Sequence, residues 1–319
     1  MTETDKSDPL AKAVKEGFSK TPKSIPSWTF YDEKGDQLFR EIMDLPEYYL
    51  TDCEAEIFEN SAAEMLETFT ADNEKFDLIE LGAGDGIKTE ILLKNWVDAG
   101  AKFSYYPVDI SPHILKTLEN RMGKNLPDLE IHSLPLTFDE ALEGPIEKMD
   151  KNRKVFFFLG SNIGNLNRQQ GIDFLKNLKS RMNEGDMMLV GFDLRKDPRV
   201  ILKAYDDSRG VTAEFNLNLL DRLNHELGAN FDRDAFSHFP YYDPVVGTAK
   251  SYIVSHKDQK VTFDRLKRSY SFDAWELIHT EISRKFSPEE IEELADLSGL
   301  RPVHYFEDKR FYYRNTVLM

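Results

Sequence analysis

A single cysteine, Cys53, leaves this 319-residue chain without an intramolecular disulfide, and no cluster of cysteines or paired histidines has zinc-site spacing. A reducing compartment is expected, and no metal. Long apolar runs are also missing. The most apolar stretch, residues 155–159, is far too short to span a bilayer, and residues 1–6 lack the basic segment and apolar core of an export signal. The expected location is the cytoplasm. Basic excess is absent as well: 57 acids against 41 lysines and arginines give a formal charge of -16, which disfavours nucleic acid or an anionic membrane as main partner. No internal repeat or low-complexity tract is evident. The 40% hydrophobic content is enough for the core of one large domain or two ordinary ones.

What is present centres on Asp77-Leu78-Ile79-Glu80-Leu81-Gly82-Ala83-Gly84-Asp85-Gly86-Ile87-Lys88-Thr89. An apolar run ends in an acid, breaks into alternating glycines and resumes at helical spacing, which reads as strand, tight loop and helix. Gly82, Gly84 and Gly86 remove Cβ atoms where a ligand would lie, and the following helix aims its N-terminus at the same place. Asp109, near the end of a second strand-like run, is placed to present a carboxylate to a ribose diol.

The first 20 residues are polar and read as a loose arm or a surface helix. An aromatic block with Tyr31, Tyr48 and Tyr49 surrounds a helical stretch carrying Leu38, Phe39, Ile42 and Met43. Thr51 or Asp52 is expected to cap a helix running to about Thr68, with Glu54 in its first turn. Strands are expected at residues 77–82, 103–109, 130–136, 154–160 and 187–193, alternating with helices, and the unbroken apolar run 155–159 marks the most central strand.

After residue 197 the rhythm changes to helices at 200–205 and 212–227 and strand-like alternation around 243–256, 260–266 and 276–283. Ser287-Pro288-Glu289-Glu290 then launches a helix, and two closing strands can pair. This order predicts an α/β doubly wound sheet with a terminal antiparallel hairpin, closer to a class I methyltransferase (Rossmann-like) than to a dehydrogenase, plus a second α+β domain.

Longer strings go beyond fold. Tyr31-Asp32-Glu33-Lys34-Gly35, Leu45-Pro46-Glu47-Tyr48-Tyr49, Glu80-Leu81-Gly82-Ala83-Gly84, Phe158-Leu159-Gly160-Ser161-Asn162-Ile163-Gly164-Asn165, Tyr205-Asp206-Asp207 and Thr280-Glu281-Ile282-Ser283-Arg284-Lys285-Phe286 together resemble the histidine-specific, S-adenosylmethionine-dependent Nα-methyltransferases of ergothioneine biosynthesis. The resemblance runs from about Thr21 to the C-terminus.

It implies a methyltransferase domain formed by residues 61–197 and 285–319, and a substrate domain formed by 1–60 and 198–284. It also implies three methyl transfers from S-adenosylmethionine to the α-amine of L-histidine, giving hercynine and S-adenosylhomocysteine. Carried over by residue, Asn165 and the hydroxyls of Tyr49 and Tyr205 hold the substrate carboxylate, and Tyr31 lies near the amine. Glu281 and Ser283, two apart in a strand and so on one face, bind the imidazole nitrogens. Gly82, Gly84, Lys88 and Asp109 belong to the cofactor site, with Thr137 and Phe138 at the adenine edge where the family often has Asp-Phe. Tyr252 falls where the family can place a methionine beside the imidazole. The expected partner is the small substrate alone, with no nucleic acid, membrane or second subunit. The alternatives are an N-methyltransferase of another amino acid or small amine, and a non-catalytic S-adenosylmethionine-binding module.

Overall fold

The computed structural model describes residues 8–70, 75–149 and 152–319, and its chain divides into two compact units. One comprises Tyr49–Lys196 with Arg284–Met319; the other comprises the segment up to Tyr48 with Asp197–Ser283. The first boundary therefore falls at Tyr48 and not at residue 60. The reason is local: a single helix, Tyr49–Phe69, starts earlier than Thr51 or Asp52 could cap it, and its Trp96-facing side belongs wholly to the larger unit.

The larger unit is built on seven strands: β1 (Phe76–Leu81), β2 (Phe103–Val108), β3 (Glu130–Ile131), β4 (Arg153–Phe158), β5 (Met187–Asp193), β6 (Pro302–Glu307) and β7 (Tyr313–Leu318). They lie in the order β6-β7-β5-β4-β1-β2-β3, with β7 antiparallel to both neighbours and the other pairs parallel. β4 is the middle strand, as its unbroken apolar run requires. Its successive rings serve opposite faces: Phe157 meets Phe69 and Trp96, whereas Phe158 meets Phe138 and Phe174. β3 is only two residues long instead of the expected seven. Beyond it Leu134 makes one isolated bridge to Val108, and Leu136 N turns back to the Leu134 carbonyl in place of continuing the ladder. The closing helix Pro288–Leu297 carries the expected capping box between Ser287 and Glu290.

The smaller unit packs the helix Val211–Leu227 against a four-stranded sheet ordered Lys23–Ser24, Leu277–Arg284, Thr248–Ser255 and Phe236–Asp243. A separate hairpin, Gln259–Phe263 with Arg268–Phe272, closes the same core. The strand Arg268–Phe272 and all of Phe236–Asp243 but its last residue lay outside the expected runs. The N-terminal segment is no loose arm from Asp8 onward: Asp8 caps the helix Pro9–Gly17, which buries Leu10 and Val14 in this core. Phe18 follows, with edge contacts to Phe231, Phe263, Tyr270 and Phe272. Residues 1–7, the rest of that expected arm, lie outside the described residues.

Candidate active site

In a doubly wound sheet, the crevice for a ligand opens where strand order reverses, here at the C-terminal ends of β1 and β4. Two loops leave the sheet there, residues 82–86 after β1 and 159–165 after β4. Gly82 (φ 77°) and Gly84 (φ 57°) adopt the left-handed conformation that side chains disfavour. A Cβ at Gly82 would stand 3.0 Å from Asn162 Nδ2 and 3.4 Å from Phe138 Cζ, so the backbone forms the floor of a narrow slot. At Gly84 the same position meets nothing within 4 Å, which leaves room for a ligand. Asp109 stands beside it, accepting from Gly84 N and Ser111 N, each at 3.0 Å. Burial pushes the Asp109 carboxyl up from its usual value, against these N–H donors that favour the anion.

Gly86 departs from expectation. A Cβ there would strike Leu118 Cδ1 and Met122 Cε at 2.8 Å, so its glycine serves packing against the helix Pro112–Asn125 and not a ligand. The Thr137 hydroxyl is tied to Glu140 in a capping box, and its carbonyl accepts from Ala141 N with a second lone pair left for a ligand amine. Phe138 keeps its place as a half-buried ring over Gly82.

Lys88 is not a solvated surface lysine. Its ammonium pairs with the fully buried Glu54 carboxylate, which also accepts from Gly160 N (3.1 Å) and from the Tyr313 hydroxyl (2.9 Å). Glu54 thus ties the helix Tyr49–Phe69 to both loops. The signal was in the sequence: Glu54 falls on the stripe of Leu50, Cys53, Ile57 and Phe58, where an acid is out of place unless paired. Glu54→Ala should lower unfolding free energy by about 3–5 kcal/mol in urea titrations, because it strands a lysine and two further donors.

A second buried acid, Glu80, accepts from the Thr89 and Tyr105 hydroxyls. Burial outweighs these bonds and raises its pKa to about 7. The folded state therefore holds a proton that the unfolded chain releases above about pH 4.5, so stability falls as pH rises from there to 7. Glu80→Gln should remove that slope and gain on the order of 3 kcal/mol over the parent between pH 5 and 8, read from melting curves.

Asn165 ends the short turn Asn162–Asn165 and is part-exposed. Tyr49 differs from expectation: its hydroxyl donates to the Asp193 carboxylate (2.8 Å), so the proton meant for a substrate carboxylate is committed elsewhere. Burial opposes ionisation of Asp193, but Lys285 and Lys196 beside it hold its pKa below the ordinary value. Lys196 also lies 4.1 Å from the centre of the Tyr49 ring.

In the smaller unit, Tyr31 packs edge-on against Phe39 and Phe215. Tyr205 is buried just past the helix Pro198–Lys203, and its carbonyl accepts from His238 Nε2 at 3.0 Å. Glu281 and Ser283 both lie in the strand Leu277–Arg284, Ser283 being buried. The Tyr252 ring packs with His279 and Phe239. Its neighbour Ser251 donates to Glu281 Oε2 at 3.0 Å. Asn162, Glu54 and Ser251 are the site residues that the sequence reading missed.

Among the described residues no helix is long and apolar enough to cross a membrane, and no group of three or more His, Cys, Asp or Glu could hold a metal ion. Residues 10–319 match the family model described as histidine-specific methyltransferase, SAM-dependent. The histidine N-alpha-methyltransferase of Mycolicibacterium smegmatis is 38% identical over 300 residues, 94% of this chain and 91% of that protein. Ergothioneine biosynthesis protein 1 of Schizosaccharomyces pombe is 28% identical over 92% of this chain, which spans 38% of that longer protein. The solved mitomycin 7-O-methyltransferase aligns with 98% of this chain and 68% of its own, at a TM-score of 0.50 and 14% identity, a likeness of fold alone. A loop of left-handed glycines beside the Asp109 carboxylate, on a sheet of this order and in a chain matched almost end to end, makes this protein a member of the histidine-specific, S-adenosylmethionine-dependent methyltransferase family.

Proposed function

We propose that this enzyme transfers three methyl groups from S-adenosylmethionine to the α-amine of L-histidine, giving hercynine for ergothioneine biosynthesis. The observation that carries the reading is a sequence match over 94% of the chain to a relative named histidine N-alpha-methyltransferase. The residues present fit the cofactor: open space at Gly84, a ring over Gly82 and an acceptor at Asp109 suit a nucleoside. Gly82, Gly84, Asp109 and Phe138 would hold it, with Lys88 and Glu54 fixing the loops around it. When bound, the cofactor supplies an electrophilic methyl on a sulfonium, and S-adenosylhomocysteine leaves after each transfer.

The protein's own task is to hold a neutral amine in line and to exclude water. We assign the imidazole to Glu281, as acceptor for its N–H, and to Ser283, as donor to the other nitrogen. An apolar ring would leave both groups unpaired, which is a strong basis for selection. Asn165 and Tyr205 take the carboxylate, with Tyr49 joining only by giving up Asp193. Tyr31 orients the amine, and no side chain acts as nucleophile. The larger unit is assigned the cofactor and the smaller one the imidazole, in a monomer.

A panel of amino acids and small amines with labelled cofactor tests the assignment. Histidine should have the highest kcat/KM by a wide margin. A different amine in first place overturns the specificity, and cofactor binding with no methylated product at all supports a non-catalytic module.

A further inference from the structure

Behind Glu281 lie three polar residues with almost no exposure, Ser251, Thr280 and Asn216, from two strands and a helix. Asn216 Nδ2 donates to the Thr212 carbonyl one turn back (3.1 Å), which turns its Oδ1 toward the sheet. Thr280 Oγ1 stands 3.0 Å from that oxygen and 3.0 Å from the Ser251 carbonyl, so its proton serves one or the other. Ser251 Oγ donates to Glu281 Oε2 at 3.0 Å. Polar groups this deep in an apolar core cost stability unless each is paired, and three of them beside a carboxylate need a reason.

We propose that Ser251 is a positioning residue for substrate selection: its hydroxyl, on a strand that Thr280 bonds through the Ser251 carbonyl, sets the angle at which the Glu281 carboxylate meets the imidazole N–H. This rests on the reading of Glu281 as the imidazole acceptor. Without the serine proton the carboxylate loses one of the contacts that set its terminal torsion, while its charge is untouched. The consequence is a loss of histidine affinity and not of chemistry. Long, flexible acceptors would gain relative to the flat imidazole, since they follow a rotating carboxylate and histidine does not.

The test compares Ser251→Ala, Glu281→Ala, the double variant and Thr280→Val, which removes only a hydroxyl and carries the test should Ser251→Ala fold poorly. Steady-state kinetics and calorimetry with S-adenosylhomocysteine are the readouts. Ser251→Ala should raise KM for histidine about tenfold, with kcat and cofactor affinity within twofold. Thr280→Val should shift KM in the same direction, and Ser251→Ala should add nothing in the Glu281→Ala background. An unchanged KM in Ser251→Ala, or additive losses in the double variant, overturns the positioning role while leaving Glu281 as acceptor. Unchanged histidine affinity in Glu281→Ala overturns both this inference and the reading beneath it.

Discussion

Glu281→Ala should bind L-histidine about 100-fold more weakly than the parent while its affinity for S-adenosylhomocysteine stays within about twofold. The magnitude follows from what is removed: a charge-assisted acceptor for a buried N–H that then finds no partner. Selectivity for cofactor over substrate is the sharper part. Glu281 belongs to the smaller unit, on the strand Leu277–Arg284, whereas Gly82, Gly84 and Asp109 belong to the sheet of the larger one. Glu281→Gln separates charge from hydrogen bonding: the amide oxygen still accepts, so roughly a tenth of the loss should remain. Titration calorimetry with each ligand decides the matter, and equal losses for both would make Glu281 a structural residue.

Gly82→Val should reduce cofactor affinity at least about 100-fold, and for a reason opposite in kind. Nothing is deleted; the added atoms push Asn162 and the Phe138 ring out of place. The backbone there has φ 77°, which a β-branched residue avoids, and its Cβ would stand 3.0 Å from Asn162 and 3.4 Å from Phe138. Strain alone costs about 1–3 kcal/mol of stability, so the variant should also melt earlier. Asp109→Asn is the milder comparison: it fills no space, but its amide nitrogen must meet Gly84 N or Ser111 N where the carboxylate accepted from both, so S-adenosylhomocysteine should weaken by about tenfold and the melting temperature should fall somewhat. Full cofactor affinity in Gly82→Val would place the nucleoside elsewhere.

These expectations show which parts of the molecule local sequence could supply. β4 was legible as the middle strand because Val155, Phe156, Phe157 and Phe158 leave no polar face, and only a strand covered on both sides tolerates that. The helix after Ser287 was legible because its capping box is contained in four consecutive residues. What stayed hidden depends on partners distant in the chain. Glu54 reads as an ordinary first-turn acid until Lys88, Gly160 and Tyr313 come to it from three other elements. Tyr49 reads as a spare hydroxyl until Asp193 takes its proton from 144 residues away.

Ser251 was not singled out, because its bond to Glu281 joins two strands thirty residues apart. Gly86 failed differently: a positive φ (70°) looks the same in sequence whether a ligand or a neighbouring helix needs the missing Cβ. β3 was overextended because apolar alternation through Leu134 and Leu136 reads as strand, while the chain turns after Leu134, with Leu136 N donating back to its carbonyl. Gly86 was correctly read as unusual, and the neighbour that gave it meaning could not be named without coordinates.

The central claim is that the α-amine of histidine is methylated to completion. Mass spectrometry of L-histidine incubated with the enzyme and S-adenosylmethionine tests it directly. The account predicts successive additions of one, two and three methyl groups ending in the trimethylated amine, with the imidazole unmodified on fragmentation. Methyl groups on the ring, or histidine recovered unchanged while another amine is consumed, would contradict it.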